Sequence, residues 1–292
     1  MDATNSSPGL HHRMPIVFGP FPGPRQSFDG YRRDGSSTTS KEAFLTFTTP
    51  KSALASLLPP GFSFQETPSS DKYAYVTIAP KRLDNLEWLA YRGYNLLSFF
   101  IHGVQYTTPN GTIRKGTFLP VLWEDMADPI ISGREELGYP KLFAEISISE
   151  TQGAYHMSAS WLGSRFADFS LDNLREVEGT AAPLAPPEAG TDDGILLYRH
   201  MPTPGKPGVH EVDYPVFVSH VEERKAQPAS TVRRFVGLTG AIKWHPLDWQ
   251  SLPTLHHIVK RLADVPIVSI VKCGLTEKLG NSDLSSARNA NI

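Results

Sequence analysis

The 292-residue chain predicts a mainly β fold of the α+β kind, an antiparallel, barrel-like arrangement with a few flanking helices. Three observations carry this expectation. Segments with strand-type alternation, each only a few residues long, recur along most of the chain. Turn residues separate them, and Asn110-Gly111 is the strongest of these signals because both positions accept the positive φ of a hairpin turn. Helical spacing appears only in short stretches.

Taken in order, residues 1–40 read as an extended, partly disordered arm, rich in Pro, Gly, Ser and Arg through Gly19-Pro-Phe-Pro-Gly-Pro-Arg25. Asp2 stands where a signal peptide carries basic residues, and no apolar segment follows, so no secretion is implied. Glu42–Thr49 alternates as a strand. Lys51–Leu58 has helical spacing that stops at Pro59-Pro60-Gly61. Tyr73–Ile78 is a second strand, ended by Pro80. Tyr94–Thr107 and Gly116–Trp123 flank the Asn110-Gly111 turn as antiparallel partners.

Leu142–Ser149 and Tyr155–Leu162 form a further pair around Gln152-Gly153, and Phe166–Leu171 another strand. The stretch 179–190 is a proline-rich loop. Strand character resumes at Gly194–His200, Val216–Val221 and Thr231–Trp244, and Leu252–Arg261 is the clearest helix. The tail from Gly280 is polar and expected to be disordered. The domain organisation is therefore an arm over 1–40, one domain over 41–279 and a tail over 280–292.

Composition narrows the function. A formal net charge of −2 with 28 basic and 30 acidic residues, and no basic cluster interleaved with aromatics, argues against nucleic acid as a partner. No apolar run reaches the ~20 residues of a membrane span. The single cysteine, Cys273, excludes an internal disulfide framework and suits a reducing, cytoplasmic setting. Ten histidines raise a metal hypothesis, but no HExxH or paired CxxC spacing occurs. Neither a Gly-x-Ser-x-Gly elbow nor a glycine-rich phosphate loop is present. No cofactor and no metal are expected.

One lysine stands out. Lys141 lies between Pro140 and the apolar pair Leu142-Phe143, after Gly138-Tyr139. An amine held there loses hydration, which disfavours its charged form and lowers its pKa. A neutral lysine is a nucleophile toward carbonyl carbon.

Gly133-Arg134-Glu135, four residues, then Pro140-Lys141 and Leu-Phe-Ala-Glu-Ile resembles the signature of the acetoacetate decarboxylase family. The stretch from Trp123 to Ile130 and the later Trp249–Lys260 segment are similar as well, so the resemblance runs from about Phe44 to Val271. It implies a closed conical barrel with Lys141 inside as the Schiff-base lysine, a small carbonyl or β-keto acid substrate, and a homo-oligomer. Two departures stand against the family pattern. Leu142 occupies the place of a second lysine, and Ala90–Leu96 offers Arg92 or Gly93 where a glutamate is expected.

The remaining candidates group around that lysine. Glu135 is a candidate to orient the amine or shuttle a proton, and Arg134 to hold a carboxylate, although an adjacent Arg and Glu more often brace a loop. Arg92, if inward, would depress the Lys141 pKa by like-charge repulsion; an outward-facing arginine is equally expected. Tyr94 and Tyr139 read first as packing groups with a hydroxyl role in reserve, and Leu142 as substrate-facing. Arg25, Arg32 and Arg33 read as arm residues, and Glu87, Glu124 and Asp125 as surface carboxylates. The expected chemistry is imine formation at Lys141 followed by decarboxylation. An aldolase, dehydratase or cyclase on a larger polyketide-like substrate is the alternative, and a non-covalent binding protein or cyclisation template the third.

Overall fold

The computed structural model describes residues 10–67, 72–179, 184–226 and 229–292. Residues 1–9 of the N-terminal sequence weighed as a signal peptide, and part of the proline-rich stretch at 180–183, lie outside the described residues. Alternation becomes strand as expected, with β2 an added short strand: β1 Thr39–Pro50, β2 Phe62–Phe64, β3 Tyr73–Leu86, β4 Arg92–Thr107, β5 Ile113–Glu124, β6 Lys141–Phe143, β7 Glu145–Thr151 and β8 Ala154–Trp161. There follow β9 Ser164–Asp172, β10 Arg175–Glu176, β11 Gly194–Pro202, β12 His210–Ser219, β13 Ser230–Val236, β14 Thr239–Trp244, β15 Ser269–Leu279 and β16 Arg288–Asn289. The helices are short: α1 Lys51–Leu54, α2 Ala127–Ser132, α3 His220–Ala226 and α4 His256–Ala263. None among the described residues is long and apolar enough to cross a membrane.

Twelve strands form one sheet, ordered β10-β13-β15-β1-β3-β4-β5-β11-β12-β16, with β2 added to β4 and β6 to β5; β14-β9-β8-β7 form a second. Pairing is antiparallel except at β5, which runs antiparallel to β4 but parallel to β11 and β6. The resemblance implied a closed cone. Among the described residues the hydrogen-bonded order instead leaves β10 and β16 as unjoined ends, so the sheet is open.

The larger core lies where one face of the big sheet meets the small sheet and α4. Trp123 of β5 is fully buried there, its ring 5.5 Å from Phe166 and 5.9 Å from Trp244. The opposite face of β4 and β5 carries a second cluster, in which Leu119, Leu122, Leu96 and Phe100 pack with Leu197 of β11 and Val216 and Val218 of β12. Apolar burial on both faces makes β5 the central strand, and its C-terminal end positions the site.

Several element boundaries differ from expectation for identifiable reasons. β3 runs through Pro80 rather than stopping at it: the β1 ladder skips from Glu42–Lys81 to Leu45–Ile78, so the missing N–H falls in a gap. The strand expected over 142–149 breaks at Ala144, with β6 joining the large sheet and β7 the small one. β12 ends at Ser219, where α3 begins. α4 starts at His256 instead of Leu252, because Pro253 disfavours helical backbone at the residue before it.

The tail is ordered against the domain rather than loose. β16 pairs with β12, and Asp283, buried, takes a two-pronged bond from Arg32 of the arm at 3.0 and 3.2 Å.

Candidate active site

Lys141 opens β6, directly opposite Leu122 in the parallel register. Side chains alternate along a strand, so Glu124, two residues beyond Leu122, points to the same face as Lys141. The two side chains meet there. Nζ lies 2.8 Å from Glu124 Oε1 and donates a second bond to the Pro129 carbonyl at 3.0 Å. Lys141 is 7 % exposed and Glu124 1 %. The backbone secures this approach, since Leu122 N–H donates to the Pro140 carbonyl at 3.2 Å and Ala144 N–H to that of Glu124 at 3.0 Å.

The loop between the two strands is shaped by its glycines. α2 continues as a π-helical turn over Gly133–Leu137 and ends at Gly138, whose φ of 80° suits the left-handed position of a helix terminus. Tyr139 N–H then reaches back to the Gly133 carbonyl at 3.0 Å. At Gly133 the absence of a side chain leaves room for the lysine tip. A Cβ there would stand 2.5 Å from Lys141 Cε and 2.7 Å from Nζ. Gly133→Ala is therefore expected to push the amine off Glu124, lowering kcat by about a hundredfold or more and also lowering the melting temperature. Wild-type turnover in that variant would show that the lysine tip tolerates displacement.

Electrostatics push both partners toward neutrality. Burial lowers the Lys141 pKa, the Glu124 carboxylate opposes this, and the Arg25 guanidinium lowers it further. Burial raises the Glu124 pKa, against the pull of Lys141. Glu124 Oε2 and the Tyr139 hydroxyl are buried with no hydrogen-bond partner among the described residues. The Tyr139 ring lies 5.7 Å from Nζ, and burial raises its hydroxyl pKa so that it remains a donor. The site thus gathers a buried amine and a carboxylate with one unpartnered oxygen, with the Tyr139 ring beside them.

Arg25 is the cation that sequence reasoning assigned to a solvated arm. It is buried, pairs with Glu136 at 2.7 Å and donates to the carbonyls of Asp283 at 3.2 Å and Ser132 at 3.5 Å. Arg13 holds the other Glu136 oxygen at 2.7 Å. Arg25, Gln26, Arg32, Glu136, Leu137 and Asp283 line a cavity of about 290 Å³ beside this junction; Lys141 and Glu124 are not among its walls. Because Arg25 lowers the Lys141 pKa, Arg25→Gln should raise it. The limb of kcat/KM that rises as the amine deprotonates then moves to higher pH, while Arg13 keeps Glu136 anchored. An unmoved limb would show that Arg25 is electrostatically silent.

The other candidates divide. Tyr94 is half-buried on β4, two residues before the Leu96 that pairs with Glu124, and its pKa is raised well above the usual range by burial and by the Glu124 carboxylate. Arg92 is exposed, donates to the Leu89 carbonyl at 3.3 Å and is not in the site. Arg134 is exposed and donates to the Lys141 carbonyl at 2.9 Å, bracing the loop. Glu135 is half-buried, its carbonyl accepts from Arg199, and the carboxylate against Nζ is that of Glu124. Leu142 packs into the larger core, because the residue after Lys141 on a strand faces the other way. Sequence reasoning reads Glu124 as a surface carboxylate, Arg25 as an arm residue and Gly133 only as part of the motif; the structure buries Glu124 against Nζ and Arg25 against Glu136, and sets Gly133 under the lysine tip. For Glu124 the available signal was a carboxylate closing an apolar strand that leads directly into the lysine loop.

A mainly β scaffold that buries one lysine amine against one carboxylate, at the end of its central strand, defines a lysine-centred class of protein. A family model described as acetoacetate decarboxylase matches residues 13–278, and the chain belongs to that family. The match takes in the segment carrying Arg25. A solved acetoacetate decarboxylase is 13 % identical with a TM-score of 0.59, over 89 % of this chain and 90 % of that one. The enduracididine biosynthesis enzyme MppR, solved in complex with pyruvate, is 14 % identical with a TM-score of 0.55, over 86 % and 88 %. An acetoacetate decarboxylase-like enzyme from Sphingomonas wittichii RW1 is 15 % identical with a TM-score of 0.53, over 86 % and 93 %. At these identities the likeness concerns the fold alone. A search of curated protein sequences finds no match.

Proposed function

We propose that the protein is a cofactor-independent lyase in which Lys141 forms a Schiff base with a β-keto acid or related carbonyl compound and decarboxylates it. The observation that carries this is the buried Lys141–Glu124 pair, whose amine is biased toward its neutral form and whose carboxylate keeps one oxygen free. The neutral amine adds to the ketone carbon, and loss of water leaves a protonated imine. The bond to the carboxylate carbon then breaks, CO2 departs, and the electron pair passes through the new double bond to nitrogen as an enamine. Protonation at carbon, for which Glu124 and Tyr139 are the adjacent groups, restores the imine. Water then releases the ketone and the lysine.

A second reading uses the same imine for aldol, dehydration or cyclisation chemistry on a larger substrate. What favours it is that Leu142, in the place of a second lysine, faces the core, so the amine relies on Arg25 and on burial alone. The structurally similar MppR, solved with pyruvate, supports an acid bearing a carbonyl as the substrate class. Borohydride reduction in the presence of a panel of β-keto and α-keto acids tests both readings. A mass adduct on the peptide carrying Lys141, with evolved CO2, supports decarboxylation, and an adduct with carbon-carbon or dehydrated products supports the second. Turnover of a panel member with no adduct at Lys141 would leave non-covalent templating as the reading.

A further inference from the structure

The β11–β12 hairpin carries a cluster that the lysine chemistry does not use. His200 of β11 stands directly opposite Asp213 of β12, and its Nδ1 lies 3.0 Å from Asp213 Oδ1. His210 opens β12, three residues before Asp213, and in a regular strand it would point to the opposite face. The register shifts by one residue between Met201 and Pro202, so that Pro202 pairs with His210. A one-residue bulge exchanges the faces. His210 therefore joins the other two, its ring centroid 4.2 Å from that of His200.

We propose that His200, His210 and Asp213 form a surface site for one zinc-class divalent ion. One ligand atom from each residue lies within 4.8 Å of the other two. A tetrahedral zinc with bonds of about 2.0–2.1 Å holds its ligands roughly 3.3 Å apart. The His200–Asp213 separation already fits, and rotation of the exposed His210 closes the third edge. Two imidazoles and one carboxylate suit zinc and neighbouring transition metals, whereas calcium and magnesium prefer all-oxygen sites. Three protein ligands leave a fourth position to water or a small anion.

The hairpin that carries the three residues is closed by its own backbone. Its connection is closed by backbone bonds from Thr203 to Val209 at 2.8 Å, Lys206 to Thr203 at 3.2 Å and Val209 to Lys206 at 3.0 Å. The neighbouring residues carry the site's link to the catalytic loop. Arg199, next to His200, donates to the Tyr214 hydroxyl at 3.3 Å and to the Glu135 carbonyl, and Tyr214 is next to Asp213. An ion across His200 and Asp213 thus clamps the strand pair whose other side braces the turn before Lys141.

The test is titration of the metal-free full-length protein with Zn2+ and Co2+ against a chromophoric chelator, with hydrogen-deuterium exchange of the β11–β12 peptides. The expected result is one saturable equivalent, unaffected by excess Mg2+, that slows exchange in this hairpin. His200→Ala with His210→Ala should weaken binding by about tenfold or more and abolish the protection, whereas His256→Ala with His257→Ala should change neither. Absence of saturable binding would overturn the proposal. So would zinc binding that survives the His200/His210 change or vanishes with the His256/His257 change.

Discussion

A Lys141→Ala protein is expected to lose the borohydride-trapped adduct completely and at least about 10³-fold in turnover, since no other amine lies against Glu124. The same change has a stability signature that separates chemistry from collapse. Removing one member of a buried ion pair leaves the other desolvated and is worth about 3–5 kcal/mol when the survivor stays charged. Glu124 already has a raised pKa, and Lys141 is the group that restrains it. Without the lysine it rises further, so the folded state binds a proton that the unfolded state releases. Stability then falls as pH rises from the usual carboxylate range through the folded Glu124 pKa. The expected result is a variant close to wild type in melting temperature at acidic pH and increasingly less stable toward neutrality. Adding Glu124→Gln should abolish that slope. A Lys141→Ala protein with undiminished turnover of a trapped substrate would refute the imine mechanism, and a flat pH profile would refute the burial of an orphaned carboxylate.

Glu124→Gln separates the two halves of the reaction. The amide keeps a hydrogen-bond acceptor near Nζ but removes the negative charge that raises the Lys141 pKa. That pKa should fall, moving the rising limb of imine formation to lower pH. Adduct trapping on Lys141 should therefore persist, or begin at a more acidic pH. Steps that need a proton donor or acceptor lose it, and kcat is expected to drop by about 10²–10⁴. Trapping with failed turnover is the diagnostic combination. Equal loss of both would assign Glu124 to positioning the amine, and unchanged kcat would remove it from proton transfer.

Much of the scaffold was legible because strand pattern and turn chemistry act over a few residues. The β4–β5 hairpin follows from alternation around Asn110-Gly111, and the burial of the lysine from the crowding of Pro140, Lys141 and Leu142. Charge was misread wherever its meaning depended on a distant partner. Arg92 carried the expected cation, yet it points to solvent, while Arg25, more than a hundred residues from Glu136 in sequence, takes the buried place. Glu135 lies inside the motif and Glu124 outside it. Only the parallel register that sets Leu122 beside Lys141 selects Glu124. The tail reads as polar and loose because its anchors, Arg32 on Asp283 and β12 beside β16, come from far earlier in the chain.

The sequence by itself determined that this is a mainly β chain with one lysine in an apolar, proline-stiffened setting, because periodicity, proline and glycine act on the backbone locally; its motif resembles that of the acetoacetate decarboxylase family. The tertiary structure decided which carboxylate pairs with the amine and which arginine is buried nearby on Glu136, that Leu142 turns away from the amine, and that the sheet is open among the described residues. Those outcomes depend on strand register and on contacts across hundreds of residues. A shift of one residue in register would have put a different side chain against the lysine, and no local pattern encodes that choice.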